Sequence, residues 1–284
     1  MRISEYVIRV SMVSHPRFLF KKKYASVKNS PYFLKNLPLK NKSGCDKLQN
    51  IERNFSLIYE KNENGGMAMD RKDIISEVKR TILEESEAIR ALSGQLDMEK
   101  AARLVELIGD GKGKVVVAGC GTSAMAARKV VHSLNCIECT AVFLTPSDAV
   151  HGGLGVLKEN DILILISKGG NTEELVQLIP PCRSKGAVLV GVTEDEASKI
   201  GKAADLCLQV KAGREPCRFN MLATASTLAV LSVFDAVCIA LMQYTEYTKE
   251  QFAVIHPKGA VGERLLGKED PDERYDEGGR IQRH

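Results

Sequence analysis

The chain has 284 residues, of which 44% are hydrophobic and 27% charged, an ordinary globular composition with room for one full domain and extensions. Its first residues lack the apolar core of a signal peptide, and no unbroken run of about 18 apolar residues predicts a membrane span. Eight cysteines are spread along the chain. That spacing indicates reduced thiols buried as small hydrophobic groups, so we expect a cytoplasmic protein without a disulfide framework or a membrane partner.

Residues 1–66 differ from the rest of the chain in charge. They hold 13 Lys/Arg against 5 Asp/Glu, so the remainder of this +4 chain is acidic. They show no sustained helical or strand period. We expect a basic, disordered leader, or one that is not translated if the start lies at Met67 or Met69. A basic arm is also compatible with nucleic-acid binding, but no binding fold is recognisable there, so we expect no nucleic-acid partner.

From Asp70 the pattern becomes regular. Apolar residues at helical spacing predict two helices, over 70–92 and 97–108. Strand-like and helix-like segments then alternate. The predicted strands are 114–120, 140–145, 161–167, 187–193 and 205–210. The predicted helices that follow are 123–134, 172–184, 222–242 and 249–255.

This alternation predicts the fold class. Continuous Val/Ile/Leu runs are typical of strands buried on both faces. Alternation with helices gives an α/β fold, with a doubly wound, mainly parallel five-stranded sheet flanked by helices. The helix over 222–242 is apolar nearly all round, which favours a place in the core or at a subunit interface. We expect one domain over 67–266, followed by a charged, disordered tail over 267–284.

Two loops at predicted strand ends are rich in glycine and hydroxyl groups. They read GCGTS over 119–123 and SKGGNT over 167–172. Backbone amides, hydroxyls and a helix N-terminus can together bind a phosphate at such a place. Neither loop is a complete dinucleotide-binding motif or P-loop. The candidate phosphate-binding residues are Gly121, Thr122, Ser123, Ser167, Lys168, Gly170 and Thr172.

One CxxC pair, Cys136 and Cys139, precedes a predicted strand. A structural zinc site needs four ligands, and no second pair lies at useful spacing. A dithiol redox motif would open a helix. The sequence therefore predicts no metal site.

Residues 70–266 resemble the SIS (sugar isomerase) family, and within it the arabinose-5-phosphate isomerase group without CBS domains. The resemblance is carried by five segments in matching order, and HPKGAVGERLL is the most specific of them. The segments are the GxGxS turn (119–123), TPSDAVHGGLG (145–155), ISKGGNTEEL (166–175), REPCRFNMLATASTLA (214–229) and HPKGAVGERLL (256–266).

The resemblance implies an aldose–ketose isomerase of a sugar phosphate, most simply a pentose 5-phosphate such as arabinose 5-phosphate, acting without a cofactor as a homodimer or homotetramer. It implies catalytic roles for Glu215, His256 and Glu174. Carboxylates suit a proton shuttle between neighbouring carbons, and an imidazole suits ring opening near neutral pH. The turn after His256 could carry its ring toward a neighbouring subunit's pocket.

Alternatives remain open at this point. Glu174 also fits an ordinary first-turn acid, Glu215 a solvated loop acid, and His256 a helix-capping or packing residue. Thr122 stands where the family usually has a lysine, and Lys168 on the second loop is a candidate substitute. That departure keeps a second function in view, a module that binds a sugar phosphate as a sensor without catalysis.

Overall fold

A computed structural model describes residues 69–257. The chain divides into two units after Asp70, and every element below belongs to the second, Arg71–His284. The expectations for the leader over 1–66, for the tail over 267–284 and for the segment 258–266 lie outside the described residues.

Five parallel strands form the sheet. Their spatial order is β2-β1-β3-β4-β5. The fold class predicted from sequence is confirmed. The strands are β1 (Val115–Gly119), β2 (Ala141–Phe143), β3 (Ile162–Ile166), β4 (Val188–Thr193) and β5 (Leu206–Gln209).

Nine α-helices lie among the described residues. They are α1 (Arg71–Gln95), α2 (Met98–Gly109), α3 (Thr122–Asn135), α4 (Pro146–Ala149), α5 (Glu173–Val176), α6 (Ile179–Ser184), α7 (Lys199–Ala203), α8 (Ala225–Tyr244) and α9 (Lys249–Ile255). A 3₁₀ turn covers Gly153–Val156.

Each face of the sheet has its own core, because side chains alternate along every strand. In β1, Val115 and Val117 pack with α1, α2, α3 and α8. Val116 and Ala118 pack on the other face, with residues of α4, α5, α6 and α7. β1 and β3 are buried along their whole length. This two-sided burial is why the strands read as unbroken apolar runs.

Helix α8 is long and apolar enough to cross a membrane by length and composition, which the sequence analysis did not anticipate. The core helix of a soluble protein passes the same test. One side of α8, including Val233, Phe234 and Leu241, is buried against its neighbours. Ile239, on another side, remains 59% exposed.

The single helix expected over 172–184 is wrong: α5 and α6 are separate. A continuous helix would need the N–H groups of residues 180 and 181 to bond carbonyls one turn earlier. Both positions are proline, so Pro180 and Pro181 instead occupy the first turn of α6, where no donor is needed.

Helix α8 begins three residues later than expected. The N–H groups of Met221 and Leu222 donate to Cys217 Sγ at 3.3 and 3.2 Å, and the N–H of Thr224 donates to a Glu215 carboxylate oxygen. These donors are held by the preceding loop, so the residues act as a cap rather than as helix.

The long helix α1 forms as predicted, but half of its apolar stripe is exposed. Ile74, Ile75, Val78 and Ile82 are each more than half exposed, whereas Leu92 near the other end is buried. Only the C-terminal part of α1 therefore contributes to the core of this chain.

Candidate active site at the carboxyl ends of the strands

The strand order reverses between β1 and β3, which lie side by side with Gly119 opposite Ile166. The loop after β1 leads to α3 on one face, and the loop after β3 leads to α5 on the other. Divergent loops at such a switch point leave a crevice, where open parallel sheets bind ligands. The two loops singled out in the sequence flank this crevice.

The first loop turns sharply at Gly121, whose φ is +56°, and α3 begins at Thr122. A positive φ favours glycine, which explains the residue at this turn. Thr122 is exposed and Ser123 is half-buried. The Ala124 N–H bonds the Gly121 carbonyl at 3.1 Å, so Ser123 sits in the first turn of the helix.

Hydrogen bonds of side-chain hydroxyl groups hold the second loop, residues 167–172, together. Ser167 Oγ lies 2.8 Å from Thr172 Oγ1 and accepts the Gly170 N–H at 3.1 Å. Gly170 has φ +64°, and a Cβ built there would lie 1.9 Å from Ser198 Oγ. Only glycine fits, so the loop is held in one shape against the start of α7.

A pocket opens beside these loops, on the α3 and α8 face of the sheet. It encloses about 50 Å³, whereas small-molecule sites usually reach several hundred. The pocket in one chain is therefore small. Its polar lining is Ser123, Lys168, Thr193, Glu194, Ser226 and Thr227, and its apolar lining is Ala126, Ile166, Val192, Val210, Ala223 and Val230.

Glu215 lies buried beside this pocket, with 1% of its surface exposed. Its Oε1 accepts from Lys168 Nζ at 2.6 Å and from the Ser226 hydroxyl. Its Oε2 accepts from the N–H groups of Thr224 at 3.0 Å and Ser226 at 3.4 Å. The N-terminus of α8 and the second loop thus converge on one carboxylate.

These donors decide the protonation of Glu215. Burial by itself would raise the pKa of the carboxyl group. The hydrogen bond from Lys168, followed by those from Ser226 and the Thr224 N–H, outweighs burial and lowers the pKa from 4.5 to about 2. Glu215 is therefore ionised at neutral pH when Lys168 is in contact with it.

Lys168 links the second loop to this carboxylate. Its carbonyl accepts from the Glu194 N–H at 2.8 Å and from Thr193 Oγ1 at 3.0 Å, which fixes the backbone. Its side chain is 39% exposed, with Nζ 2.6 Å from Glu215 and 4.0 Å from Glu194 Oε1. A fixed backbone thus carries a reachable ammonium group between two carboxylates.

Glu174 and His256 are placed differently from Glu215. Glu174 is exposed in the first turn of α5, and its charge helps to raise the pKa of Cys120, after burial of that thiol. It is not among the residues that line the pocket. His256 caps α9, its Nδ1 lies 3.0 Å from the Phe252 carbonyl, and its ring stacks on the Phe252 ring at 4.0 Å.

His256 does not reach the pocket of its own chain. Helix α8 starts at the pocket, and its 20 residues span roughly 30 Å. At its far end, the Tyr244 hydroxyl bonds Asp110, which precedes β1. Helix α9 therefore starts at the opposite edge of the sheet.

Four polar lining residues were missed in the sequence, namely Thr193, Glu194, Ser226 and Thr227. Ser226 falls in the segment 214–229, so its hydroxyl, 11 residues beyond Glu215, was a usable signal. Glu194 follows β4 at the same edge as both loops, which is where ligand-binding residues are expected.

Within residues 69–257, no group of three or more His, Cys, Asp or Glu side chains is arranged to hold a metal ion.

Comparison with known proteins gives the family. The SIS domain model matches residues 110–240. A solved structure of a candidate sugar-phosphate isomerase from Listeria monocytogenes is 57% identical, with a TM-score of 0.67, and the match covers 67% of this chain and 100% of that one. The chain belongs to the SIS domain family. The resemblance to this family seen in the sequence is thereby confirmed.

Other SIS relatives are more distant. An Escherichia coli CFT073 structure in complex with arabinose 5-phosphate is 28% identical, with a TM-score of 0.64, over 66% of this chain and 100% of that chain. Arabinose 5-phosphate isomerase KpsF from E. coli O6:H1 is 35% identical over 193 residues, which is 68% of this chain. The chain spans 59% of the length of that curated relative.

Proposed function

We propose that this SIS protein is a cytoplasmic aldose–ketose isomerase of a sugar phosphate, and that its substrate is a pentose 5-phosphate such as arabinose 5-phosphate. The named relatives are arabinose 5-phosphate isomerases, and one structural neighbour binds arabinose 5-phosphate. The observation that carries the proposal is the contact of Lys168 with the buried Glu215, which lies at the switch point where the two hydroxyl-rich loops begin.

The phosphate group binds at the two loops. Ser123 lies at the start of α3, and Ser167 and Thr172 share a hydrogen bond just before α5. Hydroxyls and free N–H groups at these turns match the acceptor oxygens of a dianion. Gly121 and Gly170 let the backbone approach it, and Thr122 and Lys168 flank it.

Isomerisation moves one proton from C2 to C1 of the open-chain aldose and a second proton from O2 to O1. A buried carboxylate is the usual shuttle between two carbons. Glu215 is buried beside the pocket, so we assign it the carbon-to-carbon transfer. Glu174 lies in the first turn of the helix that follows the second loop, so we assign it contact with the sugar hydroxyls.

His256 takes part from a neighbouring subunit in this proposal. Its helix starts at the far edge of its own sheet, and the pocket of one chain is small. An apolar stripe on α1 and Ile239 on α8 are exposed, which favours burial against further copies of the chain. We therefore propose a homodimer or homotetramer in which His256 of one subunit supports ring opening at the pocket of another.

Mixing variants tests the shared site. Glu215→Gln and His256→Ala homo-oligomers should each be nearly inactive. Mixed oligomers reassembled from equal amounts of the two variants should regain about a quarter to a half of the activity, because some of their sites combine an intact Glu215 with an intact His256. A mixture with no more activity than its components would contradict completion between subunits. Light scattering on the same samples gives the oligomeric state.

A panel of sugar phosphates tests the function itself. The protein is incubated with arabinose 5-phosphate, ribose 5-phosphate and glucose 6-phosphate, with unphosphorylated arabinose as the control, and ketose formation is followed by NMR. Turnover of at least one phosphorylated aldose, with none of arabinose, is expected. Absence of turnover across the panel would contradict the isomerase.

A non-catalytic sensor is the second candidate, and one observation favours it. Thr122 replaces the lysine expected on the first loop, and the carboxylate of Glu215 is fully occupied by donors from the chain itself. The sensor would bind sugar phosphates in calorimetry while leaving the whole panel unconverted. Binding with turnover would exclude it.

A further inference from the structure

Among the described residues that line the pocket, Lys168 is the only cation, and it contacts the buried Glu215. Within residues 69–257, Lys168 is the one side-chain cation that contacts Glu215, at 2.6 Å. The other three donors, the Ser226 hydroxyl and the N–H groups of Thr224 and Ser226, are neutral and belong to the fixed start of α8. If Lys168 moved, the carboxylate would stay buried and would lose its only counter-ion.

The side chain of Lys168 can change position while its backbone stays fixed. Its backbone is anchored through the carbonyl, but its side chain is 39% exposed and ends in a compact charge on a flexible four-carbon stem. The same side chain lines the pocket together with Ser123 of the first loop. A phosphate dianion bound there would compete with Glu215 for the ammonium group.

We propose that Lys168 couples phosphate binding to the activation of Glu215: the substrate's phosphate draws the ammonium group away, and the buried carboxylate then becomes able to take a proton from the substrate carbon. Lys168 in this way supplies the positive charge that Thr122 does not. The inference rests on the proposed function, because the proton transfer is that of the isomerisation. Lys168 is the phosphate-contacting group, and Glu215 the acceptor of the C2 proton.

The neighbouring charges favour the exchange. Glu194, from the loop after β4, lies 4.0 Å from Lys168 Nζ and is the second carboxylate beside the ammonium group. Arg80 of α1 donates to the Pro216 carbonyl at 2.9 Å and does not contact the carboxylate. Helix α8 contributes only the Ser226 hydroxyl and N–H groups. Once Lys168 leaves, the donors from Ser226 and the Thr224 N–H remain, but the largest of the lowering contributions is lost, so the pKa of the buried Glu215 carboxyl rises from its lowered value.

Calorimetry with arabinitol 5-phosphate, which cannot isomerise, tests the coupling. Binding is measured at about pH 5 in two buffers of different ionisation enthalpy, which gives the protons taken up per site. The phosphate releases or takes up protons itself, so the contribution of Glu215 is the difference between wild type and Glu215→Gln. That difference should be a substantial fraction of one proton, taken up by wild type.

Two lysine variants complete the test. Lys168→Met should weaken binding about 10- to 100-fold, the usual worth of a charge-assisted contact, and should abolish the Glu215-dependent proton uptake. Lys168→Arg keeps the charge and should retain both to within a few-fold. Lys114→Met, which removes a lysine paired with a buried acid outside the pocket, should leave both unchanged.

Unchanged affinity in Lys168→Met, or equal proton uptake in wild type and Glu215→Gln, would overturn the coupling. These results are independent of turnover. A protein that shows Lys168-dependent proton uptake but converts no sugar phosphate would refute the isomerase and keep the coupling. An active isomerase without that uptake would refute the coupling and keep the isomerase.

Discussion

Two buried acids, one at each edge of the sheet, are held by a lysine in nearly the same way. At the amino edge, Asp161 is 2% exposed and accepts from Lys114 Nζ at 2.5 Å and from the N–H groups of Lys114 and Lys158. At the carboxyl edge, Glu215 is 1% exposed and accepts from Lys168 Nζ and two N–H groups. In both, donors outweigh burial and lower the carboxyl pKa.

The two pairs differ in what surrounds the lysine. Lys114 is 23% exposed and lies in the loop that opens β1, where Asp161 ties β1 to β3. Lys168 is 39% exposed, lines a pocket and has a second carboxylate, Glu194, within 4.0 Å. A buried ion pair alone therefore does not mark a site. Of the two pairs, only the one at the carboxyl edge has a cation that lines a pocket.

The largest contrast should appear in catalysis. Glu215→Gln should lower kcat by roughly 10²–10⁴-fold, the usual worth of a general base, because an amide cannot accept the substrate proton. Asp161→Asn should change kcat less than twofold. Steady-state kinetics on the best substrate of the panel measure both effects. Similar losses of kcat in the two variants would contradict the different roles of Glu215 and Asp161.

The contrast should reverse in stability. In Asp161→Asn the amide group faces N–H donors on both sides, so we expect the free energy of unfolding to fall by roughly 3 kcal/mol. In Glu215→Gln the Ser226 hydroxyl can turn to accept from the amide and Lys168 can move into solvent, so a loss of about half that size is expected. Urea unfolding followed by circular dichroism gives both values.

The carboxyl edge should also be sensitive in its backbone. Gly170→Ala places a methyl group against Ser198 at a position of positive φ, so we expect weaker binding of arabinitol 5-phosphate, by about tenfold, and a strain of roughly 1–3 kcal/mol. The matched control is Gly169→Ala, where a methyl group has nothing within 4 Å. Equal affinities in the two variants would mean that the shape of the second loop does not matter for binding.

Acid pH tests both pairs together. The folded pKa of Glu215 is about 2, below its usual 4.5, and that of Asp161 is also lowered. Their contribution to stability is complete above about pH 4.5 and is lost as the pH falls through the folded pKa values. Each group should add a slope of up to ~1.4 kcal/mol per pH unit in that window. A stability that is flat from pH 5 to 2 would contradict the lowered pKa values.

The fold was predictable from the sequence, because strands buried on both faces leave an unmistakable pattern. Val115–Gly119 and Ile162–Ile166 read as apolar runs for that reason. The break before Pro180 was visible in the sequence, but the capping of α8 by Cys217 and Glu215 was not, since it depends on contacts of the folded loop.

The candidate site was predictable only in part. Glycines and hydroxyls at strand ends revealed the two loops, because their role depends on local backbone geometry. The partnership of Lys168 with Glu215 joins residues 47 positions apart, and no local pattern predicts it. The start of α9 at the far edge follows from the length of α8, which separates it from the pocket.

Incorporation of solvent deuterium tests the central claim most directly. The full chain and its Glu215→Gln variant are incubated with arabinose 5-phosphate in D₂O, and the C1 and C2 positions are followed by NMR. We expect the wild type to form the ketose with deuterium at C1, and the variant to bind the substrate while incorporating deuterium at least ~100-fold more slowly, the lower end of a general base's usual contribution. Equal incorporation in both proteins would contradict the assignment of the proton transfer to Glu215, and a wild type that neither forms the ketose nor incorporates deuterium would contradict the isomerase.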